Sequence, residues 1–128
     1  MSDPRVLIVE DEVPLVRLLV QAFRQEGFQV STAGNGIECM NKVAGFRPDV
    51  ILMDIMMPRL DGIDATRLIR RQGGLDKTFV VALSARTDEA TKAKMMAAGA
   101  DLYLEKPFVV RRLLEQVREH LGTCRQHP

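Results

Sequence analysis

The chain has 128 residues, 46% of them hydrophobic and 27% charged, with a formal net charge of +1. That length suits one domain, the composition excludes disordered and fibrous classes, and the charge gives no bulk attraction to nucleic acid or an anionic membrane. No apolar run approaches a membrane span, "MSDPRVLIVEDE" lacks a secretion signal's basic-then-apolar layout, and Cys39 and Cys124, far apart and without metal-type spacing, read as reduced thiols of a cytoplasmic protein.

"RVLIV" (5–9) is a continuous apolar, β-branched run, as expected of a strand covered on both faces. Val16, Leu19, Val20 and Phe23 then recur at helical spacing until Gly27, a natural stop. "FQVST" (28–32) reads as the second strand. Asn35 can cap the next helix, whose apolar face is expected from Ile37, Met40, Val43 and Ala44. "DVILM" (49–53) predicts the third strand, and the stretch from about 63 to 72, ended by Gly73-Gly74, the third helix. "FVVAL" (79–83) predicts the fourth strand, followed by a helix opened near Thr87 and stopped by Gly99. "LYLE" (102–105) predicts a short fifth strand. A last helix over about 108–121 carries Val110, Leu113, Leu114, Val117 and Leu121 on one stripe.

Strands alternating with helices imply right-handed crossovers and a parallel sheet with helices on both faces. Such sheets place their sites outside the carboxyl ends of the strands. There the sequence sets Glu10, Asp11 and Glu12 after the first strand, Asp54 after the third, Ser84 after the fourth and Lys106-Pro107 after the fifth. Gathered carboxylates repel one another, and magnesium, which takes oxygen ligands, is the natural compensation. A carboxylate can also act as a nucleophile and form an aspartyl phosphate. A lysine and a hydroxyl suit the oxygens of a phosphoryl group in transfer.

The pieces "VLIVEDE", "MDIMMPRLDG", "ALSA" and "GADLYLEKPF", in this order and at these spacings, resemble the receiver domain of two-component response regulators from about Arg5 to Leu121. The resemblance implies a flavodoxin-like, doubly wound five-stranded α/β sheet of order 2-1-3-4-5, with residues 1–128 forming a single receiver domain, core about 5–121, and no output domain. It implies that Asp54 accepts a phosphoryl group from a histidine kinase or histidine phosphotransfer protein. Magnesium would be held by Asp11 and Asp54, by Glu10 through water, and by the Met56 carbonyl. Lys106 would pair with the phosphoryl group, across a cis bond to Pro107. Ser84 would swing toward a phosphoryl oxygen, and Tyr103 would rotate inward after it. That motion would carry the switch to a downstream protein at the face made by the fourth helix, fifth strand and fifth helix. Such a protein is not an enzyme on other substrates; it takes part only in its own magnesium-dependent phosphotransfer and dephosphorylation.

Each residue also has an ordinary reading. Asp54 could cap a helix, Ser84 could close a turn, Lys106 could be a surface lysine, and Tyr103 a half-buried strand aromatic. Glu12 reads as a first-turn acid, Asp61-Gly62 as turn and helix-start chemistry, and Met53, Met56 and Met57 as packing and loop. Three rival functions are a phosphohydrolase, a flavin binder and a protein-interaction module that works without phosphorylation. Met56 stands where phosphohydrolases of this chemistry commonly place a second acid. "EDEVP" lacks the glycines that cradle a flavin phosphate. The complete set of acceptor, metal ligands and lysine argues against the third. The sequence departs from many relatives at Glu10, where they carry aspartate, and at Leu102, where some DNA-binding relatives carry an acid used in a dimer salt bridge. Leu102 is therefore expected to put a hydrophobe on the signalling face. Met56 and Arg86, two residues beyond Asp54 and Ser84, stand where the family tunes phosphate hydrolysis, and an apolar Met56 predicts slow hydrolysis.

Overall fold

The computed structural model describes residues 3–57, 59–86 and 88–125, with side chains as far as 122. Thr87, expected to open the fourth helix, and the Cys124 thiol lie outside the described residues. The elements run β1 (Arg5–Val9), α1 (Val13–Gln25), β2 (Gln29–Ala33), α2 (Gly36–Phe46), β3 (Val50–Asp54), α3 (Gly62–Arg71), β4 (Phe79–Ser84), α4 (Glu89–Ala98), β5 (Leu102–Glu105) and α5 (Val110–Arg125). The strands form one parallel sheet in the order β2-β1-β3-β4-β5, the flavodoxin-like arrangement.

The period of two along each inner strand divides the core. Leu7, Val9, Ile51, Met53, Val80 and Ala82 pack toward Cys39 and Val43 of α2, Ala65 and Ile69 of α3, and Met95 of α4. Val6, Ile8, Val50, Leu52, Val81 and Leu83 pack on the other face against Leu19 and Phe23 of α1 and Leu113 and Val117 of α5. Each such aliphatic side chain contributes about 1.5–3 kcal/mol by leaving water, so the inner strands fix the sheet and thereby the positions of their carboxyl ends. Cys39 sits inside the first cluster, and burial pushes its thiol up to about 12, which keeps it protonated and inert.

Several boundaries depart from the sequence reading, for local reasons. β3 includes Asp54, which pairs in register with Leu83, and β4 likewise includes Ser84. β3 begins at Val50 rather than Asp49, although the Asp49 N–H still donates to Arg5, its carbonyl accepts from Phe79, and its carboxylate accepts from the Arg5 N–H. α2 buries Gly36, Cys39 and Val43, with Met40 and Phe46 packed against them, whereas Ile37 and Ala44 are exposed. The helix is rotated by close approach at its start: a Cβ on Gly36 would come within 2.1 Å of the Leu60 carbonyl oxygen. α4 is capped by Asp88, whose side chain accepts from the Thr91 N–H. Glu12 is the N-cap residue of α1 with no side-chain cap bond, so it stands ahead of the first turn rather than in it. Leu102 is half-buried and packs toward the α1/α5 cluster, so it presents no full hydrophobe on the outer face.

Candidate functional site

The carboxyl ends of β1, β3, β4 and β5 bring Glu10, Asp54, Ser84 and Lys106 to one edge of the sheet. Ladder bonds continue past the strands to hold them: the Glu10 N–H donates to Ala33, Ile55 to Leu83, and Lys106 to Ser84. Asp54 is 3% exposed and Glu10 2%, an unusual burial for two carboxyl groups. Asp11 beside them is exposed.

Charge at this edge is unbalanced. The Lys106 ammonium donates to Glu10 Oε1 at 2.6 Å and lies 3.7 Å from Asp54 Oδ2, so one cation serves two buried acids. Asp54 Oδ1 accepts from the Met56 N–H at 3.2 Å, and Glu10 Oε2 from the Glu12 N–H at 3.1 Å. Burial first and the Glu10 carboxylate second push the Asp54 carboxyl up to about 7, against the opposite pull of Lys106. For Lys106, burial disfavours the charge, but the bond to Glu10 and the charges of Asp54 and Glu10 outweigh it and hold the ammonium above its ordinary range.

Carboxylate oxygens of Glu10, Asp11 and Asp54 lie within 4.8 Å of one another. The donor set is all oxygen, partly buried and short of positive charge, which suits a hard divalent cation such as magnesium.

The remaining expected residues flank this core. Ser84 is fully buried, and its Oγ accepts from the Arg86 N–H at 3.0 Å. Tyr103 is half-buried against the core, with its hydroxyl donating to the Arg86 carbonyl at 2.9 Å. The Lys106-Pro107 peptide is cis, as the resemblance implied. Met53 and Met57 pack in the core, while Met56 is 54% exposed beside the acceptor. Asp61 caps α3 by accepting from Asp64, and Gly62 lies against the site's backbone: a Cβ there would meet the Asp54 carbonyl oxygen at 2.4 Å. The structure thus brings Glu10, Asp11, Asp54 and Lys106 together, with Ser84 and Tyr103 tied to the β4–α4 loop. Arg86, expected only to tune hydrolysis, holds both switch side chains, and Asp88 rather than Thr87 caps α4 beside it.

Residues 6–118 match the response regulator receiver domain. The DNA-binding response regulator MtrA of Mycolicibacterium paratuberculosis is 36% identical over 117 residues, 91% of this chain and 51% of that protein. The chain therefore spans about half the length of such relatives. The receiver domain of the sensor histidine kinase PA1611 from Pseudomonas aeruginosa, which has a magnesium ion coordinated in its active site cleft, superposes with a TM-score of 0.83 at 32% identity, covering 94% of this chain and 99% of that one. The Vibrio cholerae chemotaxis protein CheY4 superposes with a TM-score of 0.86 at 29% identity, covering 92% and 98%. This chain belongs to the response regulator receiver family of two-component systems. Such domains are signalling switches and are not generally classed as enzymes. No helix among the described residues is long and apolar enough to cross a membrane.

Proposed function

We propose that the chain works as one receiver unit, core about 5–121, in which Asp54 accepts a phosphoryl group from a histidine kinase or histidine phosphotransfer protein. The observation that carries this reading is the company Asp54 keeps: a buried strand-end carboxylate 3.7 Å from a lysine ammonium, within 4.8 Å of two further acids and open to a cation. An Asp54 oxygen attacks phosphorus as the bond to the donor imidazole breaks. The departing nitrogen keeps the electron pair and takes up a proton. Lys106, already charged, needs only to exchange part of its bond to Glu10 for a phosphoryl oxygen. Asp11 and Asp54 directly, Glu10 through water, and the Met56 carbonyl would hold magnesium, which neutralises charge on the transferring oxygens when bound.

The Ser84 hydroxyl uses an acceptor position toward Arg86 and keeps its proton for a phosphoryl oxygen. Tyr103, bonded to the same loop, follows it, and the face of α4, β5 and α5 changes for a downstream protein. Phosphorylation would shift an equilibrium between two settings by as much as it favours one. This reading puts the protein in the cytoplasm with its donor and gives the receiver residues no direct contact with nucleic acid. Exposed Met56 has no group to orient a water, so the phosphorylated form should outlive that of a Met56→Asn variant, as a decay time course would read.

Intact-mass spectrometry after incubation with acetyl phosphate, with and without magnesium, tests the proposal. Wild type should gain one phosphoryl group only with magnesium, and Asp54→Asn none. No gain under either condition would leave a protein-interaction module that works without phosphorylation.

A further inference from the structure

Both switch side chains are anchored on one residue. The Arg86 N–H donates to Ser84 Oγ at 3.0 Å, and the Arg86 carbonyl accepts from Tyr103 at 2.9 Å. The Arg86 side chain leads elsewhere: its Nε donates to Asp88 Oδ1 at 3.0 Å. The other oxygen of Asp88 accepts from the Thr91 N–H at 3.0 Å and the Thr91 hydroxyl at 2.7 Å, forming the cap of α4. The Thr91 bonds first, and then Arg86, hold the Asp88 carboxyl well below the usual carboxylate range.

The start of α4 has little else to hold it. Its buried residues are Met95 and Ala98, both in the second half, while Glu89, Ala90, Lys92, Ala93 and Lys94 are exposed. The first turn can shift without uncovering core, which is the property of a low-stability element that moves in signalling.

We propose that Arg86 is a positioning residue that couples the switch side chains to helix α4 through its ion pair with the N-cap Asp88. The inference rests on Asp54 being the phosphoacceptor, as proposed above. When the Ser84 hydroxyl turns toward the phosphoryl group, its Oγ leaves the Arg86 N–H, and the freed peptide moves with the loop. That one displacement carries the acceptor of Tyr103 and, through the guanidinium, the cap of α4. The ion pair is exposed, with side chains 51% and 42% accessible, so its loss should change the ratio of the two settings roughly two- to five-fold.

Tyr103 is the single tyrosine in a chain without tryptophan, so intrinsic tyrosine fluorescence reports on it alone. The experiment adds acetyl phosphate and magnesium to wild type, Arg86→Ala, Arg86→Lys and Asp88→Asn, and divides the fluorescence change by the phosphorylated fraction from intact mass. Asn caps a helix as well as Asp does, so Asp88→Asn removes the ion pair and spares the cap. The clasp predicts that Arg86→Ala and Asp88→Asn each lose roughly half or more of the change per phosphorylated molecule, and that Arg86→Lys recovers part of it. A full change in both Arg86→Ala and Asp88→Asn, or a loss in Arg86→Ala alone, overturns the clasp while the phosphoacceptor reading stands. No phosphoryl gain by wild type overturns that reading and the clasp with it.

Discussion

The two ends of the sheet both hold charged groups against the core, and they treat them in opposite ways. At the amino-terminal end Asp49 and Asp101 each accept from partners of their own. Asp49 accepts from the Arg5 N–H at 2.8 Å, and Asp101 accepts from the Val80 N–H and from Arg70, both at 2.9 Å. Arg70 also donates to the carbonyls of Gly99 and Leu75. At the carboxyl-terminal end, Glu10 and Asp54 are more deeply buried and share one lysine. Charge at one end is spent on holding loops; at the other it is left unbalanced, and a divalent cation can neutralise the imbalance.

The contrast lies in charge and not in packing, which a change at Gly62 tests with the largest effect. A Cβ there meets the Asp54 carbonyl oxygen at 2.4 Å and Ile55 Cα at 2.9 Å, both backbone atoms that cannot easily give way. Gly62→Ala should lower unfolding stability by about 3 kcal/mol or more, measured as a urea midpoint. Arg70→Met should come next, at about 2 kcal/mol for the lost charged hydrogen bonds. Because Arg70 serves the opposite end, phosphoryl uptake by the folded protein should be unchanged.

Asp54→Asn exposes the difference between the two ends through pH. The folded carboxyl titrates at about 7 against an ordinary 3.8, so between those values the native state binds more protons than the unfolded chain. Stability from this group is therefore full below the lower value and falls as pH rises through the upper one. In metal-free buffer wild type should lose stability from acid to mildly alkaline pH. Asp54→Asn should flatten that slope and be more stable at the alkaline end by roughly 1–3 kcal/mol, read from thermal melts across the range. Magnesium should narrow the gap by supplying the missing charge to wild type. The smallest effect belongs to the exposed Arg67–Asp64 pair on α3, side chains 51% and 54% accessible, where Arg67→Ala should move the midpoint by no more than about 0.5 kcal/mol.

The sequence carried the strand–helix alternation plainly, because inner strands buried on both faces read as unbroken apolar runs and helices end on glycines such as Gly27 and Gly99, whose φ angles of 87° and 122° favour glycine. It also carried the residues that meet at the carboxyl edge, since their place follows from the strands they terminate. What it could not carry was set by contacts between distant segments. The rotation of α2 depends on Gly36 lying under Leu60, and the orientation of Leu102 depends on which face of β5 meets α5. The preference of Lys106 for Glu10 over Asp54 is a matter of about an ångström between two acids 44 residues apart in the chain, which no local pattern encodes. The Tyr103 bond to the Arg86 carbonyl and the Arg70 bonds to the Gly99 and Leu75 carbonyls are of the same kind, tertiary bonds to backbone groups whose partners are invisible until the chain is folded.

The proposed acceptor at the carboxyl end is Asp54, not its acidic neighbours Glu10 and Asp11. The most direct measurement is chemical trapping: treat the protein with acetyl phosphate and magnesium, reduce the acyl phosphate with borohydride, and map the digested peptides by mass spectrometry. Homoserine is expected at position 54, with Glu10 and Asp11 unmodified. Reduction product at Glu10 or Asp11, or none at all, would contradict it.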